Sequence, residues 1–315
     1  MDSSIIITFA IPLFFGLILI EFFYGVITKQ NNYRINDAIT SMSLGLISRF
    51  VPILGLGFQY VVYKAVAEHY NFNLLNGEEI WVWVTAFVLY DVCYYWMHRI
   101  HHEIKVFWAT HVVHHHGEEF NLSTALRQTS TGFLWKWVFF LPMFIIGIPP
   151  HIYVSVAGLN LVYQFWVHTE HIGRLGFLEY IFVTPSNHRV HHAQNEDYLD
   201  ANYGGVFILW DRLFGTFIDE RTDLKPVYGT VKPLKSFNPF WANIEVFYQM
   251  IFDSYHTAKW SDKIKVWFSP PNWRPDDVSS LYPIQKNDLS SFEKYDPEIT
   301  LREKIFAGTQ FAVIN

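Results

Sequence analysis

Ten of the chain's 15 histidines fall into three short clusters, and any fold must explain why. The clusters are His98-Arg99-Ile100-His101-His102, His111-Val112-Val113-His114-His115-His116 and His188-Arg189-Val190-His191-His192. Scattered surface histidines do not bunch in this way. On an α-helix, positions i, i+3 and i+4 share one face. His98 with His102, His111 with His114 and His115, and His188 with His191 and His192 are therefore each expected to converge on one point. Imidazole suits iron, zinc, copper and nickel, and one ion usually takes three or four protein ligands. Eight aligned histidines thus imply two ions, and His168, at the end of a separate apolar stretch, is the candidate ninth ligand.

The remaining histidines read differently. His101 and His116 fall off the main face of their clusters and His171 trails His168 by three positions, so these are expected to lie outside the ligand set. His69, His151 and His256 have no partners in sequence and read as polar tips on apolar bodies. Metal-bound imidazoles commonly donate their second N–H to a carboxylate or carbonyl. Asp91, Glu103, Glu170, Asp197, Asp200 and Asp211 are near enough in sequence to serve, or are simply solvated.

The second constraint is the solvent. A chain of 315 residues with 51% hydrophobic and 19% aromatic side chains is too apolar for an ordinary soluble fold. Residues 5–27 are apolar apart from Glu21, close to the roughly 20 residues that a helix needs to cross the hydrocarbon core. The acidic start at Asp2 and the run Phe22-Phe23-Tyr24 argue against a cleaved signal peptide. Further apolar stretches cover residues 43–67 and 80–97. Residues 131–168, broken at Ile148-Pro149-Pro150, read as a helical hairpin. The expected fold class is all-α, a polytopic transmembrane bundle of about four or five spans with a cytosolic helical cap that carries the histidine-rich two-metal site. Lys29 and Arg34 follow the first span, whereas Glu68, Glu78 and Glu79 follow the second. That asymmetry puts the amino terminus outside and every histidine cluster on the cytosolic side. The expected organisation is amino-terminal spans over 1–79, a catalytic region over 80–230 and a cytosolic carboxyl-terminal region over 231–315. Residues 301–315 begin a new apolar segment that reads as a truncated or peripheral helix.

Composition also excludes. A net charge of −6 without a basic stripe argues against nucleic acid as a partner, and the single cysteine, Cys93, rules out an internal disulfide or a cysteine-rich zinc site. The aromatic groups Tyr94-Tyr95-Trp96, Phe107-Trp108 and Phe165-Trp166 fit an interfacial belt better than a channel wall. Hydrolytic two-metal sites normally include bridging carboxylates. An all-histidine pair beside a bilayer instead fits oxygen activation by iron on a lipid.

The order H-x-x-x-H, H-x-x-H-H, H-x-x-H-H behind an apolar span resembles the fatty acid hydroxylase and sterol desaturase superfamily over roughly residues 80–230. Within it, the chain resembles the alkylglycerol monooxygenases. The resemblance is carried by Trp96-Met97-His98-Arg99, Phe107-Trp108-Ala109-Thr110-His111, Asn121-Leu122-Ser123-Thr124-Ala125-Leu126-Arg127-Gln128, Phe165-Trp166-Val167-His168-Thr169-Glu170 and Thr184-Pro185-Ser186-Asn187-His188. The segments Asn202-Tyr203-Gly204-Gly205 and Trp210-Asp211-Arg212-Leu213-Phe214-Gly215-Thr216 extend it. The resemblance implies two iron ions, O₂ and tetrahydrobiopterin, acting on the ether-linked carbon of an alkylglycerol to release an aldehyde and glycerol. Carried over residue by residue, the metal set is His98, His102, His111, His114, His115, His168, His188, His191 and His192. Glu103 follows the first cluster as in that group, where a carboxylate could accept a bidentate pair from a pterin.

Two features depart from the group. It carries further membrane spans after this region, so the chain is expected to be a fragment or a shorter, microbial relative; a microbial source would favour ferredoxin or flavoprotein as electron donor. His116 also stands where a small residue is usual. The competing readings are a sterol, fatty-acid or head-group hydroxylase or desaturase with another donor, and a non-catalytic metal-binding membrane protein. Transport predicts ionisable ligands deep within spans, whereas these histidines lie at span ends.

Overall fold

The apolar run near the amino terminus folds as α1 (Ser3–Thr28), and the run before the first histidine cluster as α4 (Ile80–Glu103). The computed structural model describes residues 3–53 and 58–314; among these it contains helices and two isolated bridges, Phe182–Phe207 and Ala193–Tyr228, but no strand. Ala10–Thr28 and Ile80–Glu103 are the two described helices long and apolar enough to cross a membrane.

The other expected spans take a different form. Residues 43–67 are divided between α2 (Ile35–Ile53) and α3 (Phe58–His69), and the intervening residues 54–57 lie outside the described ones. The expected hairpin turns where the prolines demand it, but its first arm is not one continuous α-helix. It consists of a 3₁₀ turn at Gly132–Leu134, a second at Lys136–Phe140, and the short α7 (Leu141–Ile146), after α5 (Lys105–Trp108) and α6 (Val112–His115). Pro142 fits the break, since it has no N–H to bond the carbonyl four residues earlier and is best accommodated in the first turn of a helix, where it sits in α7. Gly147 closes α7 at φ 110, where a Cβ would lie 2.9 Å from Asn71 Oδ1, so both backbone and space require glycine. Pro150 then opens α8 (Pro150–Trp166) at its first position.

After α8 come α9 (Pro185–His191), α10 (Leu209–Phe214), α11 (Pro239–His256), α12 (Trp260–Phe268), α13 (Asp276–Leu281) and α14 (Leu301–Ile314). Thr184 and Asn187 form a capping box that starts α9, and Asn238 Oδ1 accepts from Phe240 N and Trp241 N to start α11. The core lies where α4 and α1 pack on α8. Val82, Ala86 and Met97 of α4 meet Phe140, Met143, Ile152 and Val156, and Phe14 stacks on Phe165 at 3.9 Å. At the end where α4 stops, α11 and α12 cover α5 and α6 through Val106, Ala109, Met250 and Val266. The histidine clusters are enclosed between that cover and the long helices.

Candidate metal centre

His98 and His102 occupy the last turns of α4. His111, His114 and His115 sit on the single turn of α6 and its N-cap, His168 just beyond α8, and His188, His191 and His192 on α9 and its C-cap. Their nitrogen atoms form two groups, each with all members within 4.8 Å of one another: His98, His102, His111, His115 and His191, and His114, His168, His188 and His192. All but His114 are buried.

This partition corrects one expectation. The clusters do not each converge on one point. On a helix, i and i+4 differ by about 40° about the axis, but i+3 and i+4 differ by about 100°. Accordingly the i,i+4 pairs His98/His102, His111/His115 and His188/His192 each stay within one group, and the i+3 residues His114 and His191 cross to the other. The groups adjoin, with His115 stacked on His192 at 4.4 Å between ring centroids.

Tautomers follow from backbone partners. A carbonyl only accepts, so an imidazole nitrogen facing one must carry the proton. His98 Nδ1 donates to Tyr203 O at 2.8 Å, His114 Nδ1 to Arg127 O at 3.1 Å, His168 Nδ1 to Gln164 O at 2.8 Å and His191 Nδ1 to Ala201 O at 2.9 Å. Their Nε2 atoms are therefore lone pairs. His114 Nε2 and His168 Nε2 nevertheless face each other at 3.2 Å, where two acceptors repel, and the Nε2 atoms of His102 and His191 are buried without a partner. A cation between them resolves both problems. The Nε2 separations of 3.0–3.2 Å within the groups are short enough for neighbouring imidazoles to share one ion at metal–nitrogen bonds of about 2.1 Å. Burial, followed by the neighbouring imidazoles, holds His111, His115, His188 and His192 well below the ordinary histidine range, and burial holds His191 at about 4. These rings are neutral, the form that binds a metal. The donor set fits two imidazole-liking ions, and with the family below it points to iron.

Backbone carbonyls, rather than the acidic residues near the clusters, thus orient these imidazoles. Asp211 acts one step further out, accepting from Tyr203 N at 2.7 Å, Gly204 N at 2.8 Å and Thr216 Oγ1 at 2.7 Å, which fixes the carbonyl that receives His98. Asp91 holds the same loop through Val206 N, Phe207 N and Trp210 Nε1. A Cβ on Gly205 would come 2.7 Å from Asp91 Oδ1, so glycine permits that approach. Glu103 pairs with Arg99 at 2.8 Å on the surface. Asp197 pairs with Arg221, and Glu170 accepts from Tyr228 Oη. Asp200 sits at φ 57 beyond α9.

His101 bonds Met97 O at 2.6 Å and lies outside both groups, as does His116, buried 3.8 Å from Glu245 of α11. His171 rests edge-on against Tyr24. Three supporting residues escaped the sequence reading. Arg127 is buried, donates to Val113 O at 3.0 Å and pairs with Asp37 at 3.3 Å, locking the loop that supplies the carbonyl to His114. Tyr203 places its ring 5.3 Å from His102 with a buried, unpartnered hydroxyl. Glu21 accepts from Leu122 N at 2.7 Å and from Thr169 and Tyr33, tying α1 to the segments on either side of His168. Only Glu21 had a legible signal, as the lone acid of an apolar span.

An apolar cavity of about 350 Å³ runs from α1 and α2 to the metal groups, with His111, His114 and His168 in its wall. This is within the common range for small-molecule sites, about 300–1,000 Å³.

Residues 83–216 match the fatty acid hydroxylase family model. The chain is 38% identical to an alkylglycerol monooxygenase from Xenopus tropicalis, over 90% of this chain and 64% of that protein. It is 39% identical to the Homo sapiens alkylglycerol monooxygenase, over 97% of this chain and 68% of that protein. It is also 28% identical to the ornithine lipid hydroxylase OlsE of Rhizobium tropici, over 42% of this chain and 41% of that protein. The chain spans about two thirds of the length of these first two relatives. No solved structure matches it.

Proposed function

The chain belongs to the fatty acid hydroxylase family, and from that premise we propose that it is a membrane di-iron monooxygenase oxidising the ether-linked carbon of an alkylglycerol. The observation that carries the reading is the juxtaposition of two all-histidine groups with the end of an apolar cavity. His98, His102, His111, His115 and His191 would hold one iron, and His114, His168, His188 and His192 the other. When bound, the pair supplies the means to activate O₂. One oxygen atom enters the C–H bond as a hydroxyl, and the other leaves as water with two electrons and two protons from a reductant. The resulting hemiacetal collapses to an aldehyde and glycerol.

The protein's own part is positioning. The apolar wall from Phe14 to Phe165 binds the alkyl chain and excludes water, and the carbonyl-fixed imidazoles keep the centre rigid. Tetrahydrobiopterin is the proposed reductant, with Glu103 as a pterin contact; its exposure beside Arg99 leaves it reachable from outside. A ferredoxin or flavoprotein is the alternative donor.

We read the chain as multi-pass, with the metal centre cytosolic and residues 80–230 as the catalytic region. Arg34, just beyond α1, bonds Glu119 at 2.6 Å beside the second cluster, so α1 ends at the metal end. Since α4 ends there too, α2 and α3 together return the chain across. The basic residues after α1 favour the cytosolic face.

The test is oxygen uptake by iron-loaded protein in detergent with 1-O-hexadecylglycerol, with and without tetrahydrobiopterin, for wild type and His114→Ala. Pterin-dependent hexadecanal formation that the variant loses is the expected result. No aldehyde from a preparation holding two irons per chain, with either pterin or reduced ferredoxin, would sink the proposal.

A further inference from the structure

The partly buried and buried cations of this protein come with partners. Arg127 has Asp37 at 3.3 Å, Arg189 has Glu220 at 2.7 Å, Arg274 has Asp253 at 2.8 Å and Lys232 has Glu245 at 2.8 Å. Lys105 donates to the Trp273 carbonyl. Lys136 is the exception: it is partly buried in the cavity wall, yet no carboxylate or carbonyl among the described residues receives it. Its stem lies across Gly132, where a Cβ would come 3.0 Å from Lys136 Cε, so the glycine makes room for the side chain in this direction. No acidic residue lines the cavity, and the other charged one, Arg49, is exposed.

An unpaired ammonium in an apolar wall is costly, and such groups in membrane proteins mark substrate paths. Its counter-charge has to arrive with the ligand. Position narrows which part of the ligand that is. Lys136 lines the cavity together with His111, His114 and His168, and Phe139 of the same turn packs against His101 at 5.6 Å, which places Lys136 at the metal end of the cavity. In an ether lipid the carbon to be oxidised adjoins the head group, so the head group lies at that end and the alkyl chain runs along Phe14, Leu126, Leu161 and Phe165.

We propose that Lys136 binds the anionic head group of the lipid, making a phosphate-bearing monoalkylglycerol a better ligand here than a neutral one. The inference rests on the lipid-oxidising reading above, and binding measured without turnover separates the two. Iron-loaded protein is titrated without reductant with 1-O-hexadecylglycerol 3-phosphate, 1-O-hexadecylglycerol and palmitate, for wild type, Lys136→Met and Lys136→Arg, with two irons per chain as the check on folding. The phosphate should bind about tenfold more tightly than the neutral lipid, consistent with a hydrogen bond to a charged group. Lys136→Met should abolish that ratio and Lys136→Arg should keep it. Equal affinity for the two glycerolipids in wild type, a ratio unchanged in Lys136→Met, or palmitate binding more tightly than the phosphate would overturn the proposal. A kept preference with no oxidation of either lipid once tetrahydrobiopterin or reduced ferredoxin is added would overturn the function proposed above instead.

Discussion

His114 and His168 each spend their only N–H on a carbonyl and then aim lone pairs at one another across 3.2 Å. Neutral acceptors packed in this way are destabilising alone and become stabilising only around a cation, so the site is built for an ion rather than for a hydrogen-bond network. The two groups draw on different residues, and single substitutions should separate them. His114→Ala should lower bound iron from two per chain towards one, with His98, His102, His111, His115 and His191 still holding theirs, and should reduce turnover by about a hundredfold or more. His101→Gln, outside both groups, should retain two. Iron per chain by elemental analysis, beside aldehyde yield, checks this; equal iron loss in both variants would count against the partition.

At the scale of elements, one turn of helix does the sorting. The turn at α6 and that at α9 each send an i,i+4 pair one way and the i+3 residue the other, so three short helical segments and His168 suffice for two adjacent groups. The loop after α9 keeps that geometry, because Asp211 holds Tyr203 N and Gly204 N while Tyr203 O fixes His98. Asp211→Asn replaces an acceptor with a donor facing those N–H groups. It should cost about 1–3 kcal/mol in stability and weaken iron binding by about 10–100-fold. A chelator-competition titration checks the second figure, and unchanged affinity would remove Asp211 from the support of the site.

For the whole molecule, the metal groups join α4, α6, α9 and the end of α8, segments far apart in sequence, at one end of the helical bundle. Ligands that bind only the folded state add stability, about 4 kcal/mol when the free ion stands a thousandfold above its dissociation constant. Stripping the iron should therefore lower the detergent-solubilised protein's melting temperature by several degrees or more, and iron should restore it. Thermal unfolding of stripped and reloaded samples is the measurement; identical curves would mean that the bundle holds the clusters without help. The charged cover acts at the same scale, with Arg34, Glu118, Glu119 and Lys294 linking the loop after α1, the second cluster and the carboxyl-terminal region.

Helical periodicity and hydropathy were enough to locate α1, α4, the proline turn between α7 and α8, and the nine histidines that the structure gathers, because each depends on spacing or on solvent preference along the chain. Residue spacing could not say which histidines share a group. That is decided by how helices cross, since i+3 and i+4 diverge about the axis and only the neighbouring helix determines which faces what. The same limit hid Arg127 and Tyr203 and left Asp211 unranked among six candidate acids, because their roles come from backbone groups many residues away in sequence or folded back by a loop. It also hid the isolation of Lys136, because a missing partner is a property of three-dimensional surroundings. The sequence determined that the chain would be helical, apolar and rich in metal ligands; tertiary packing decided which lone pairs meet and which charge is left to meet a ligand.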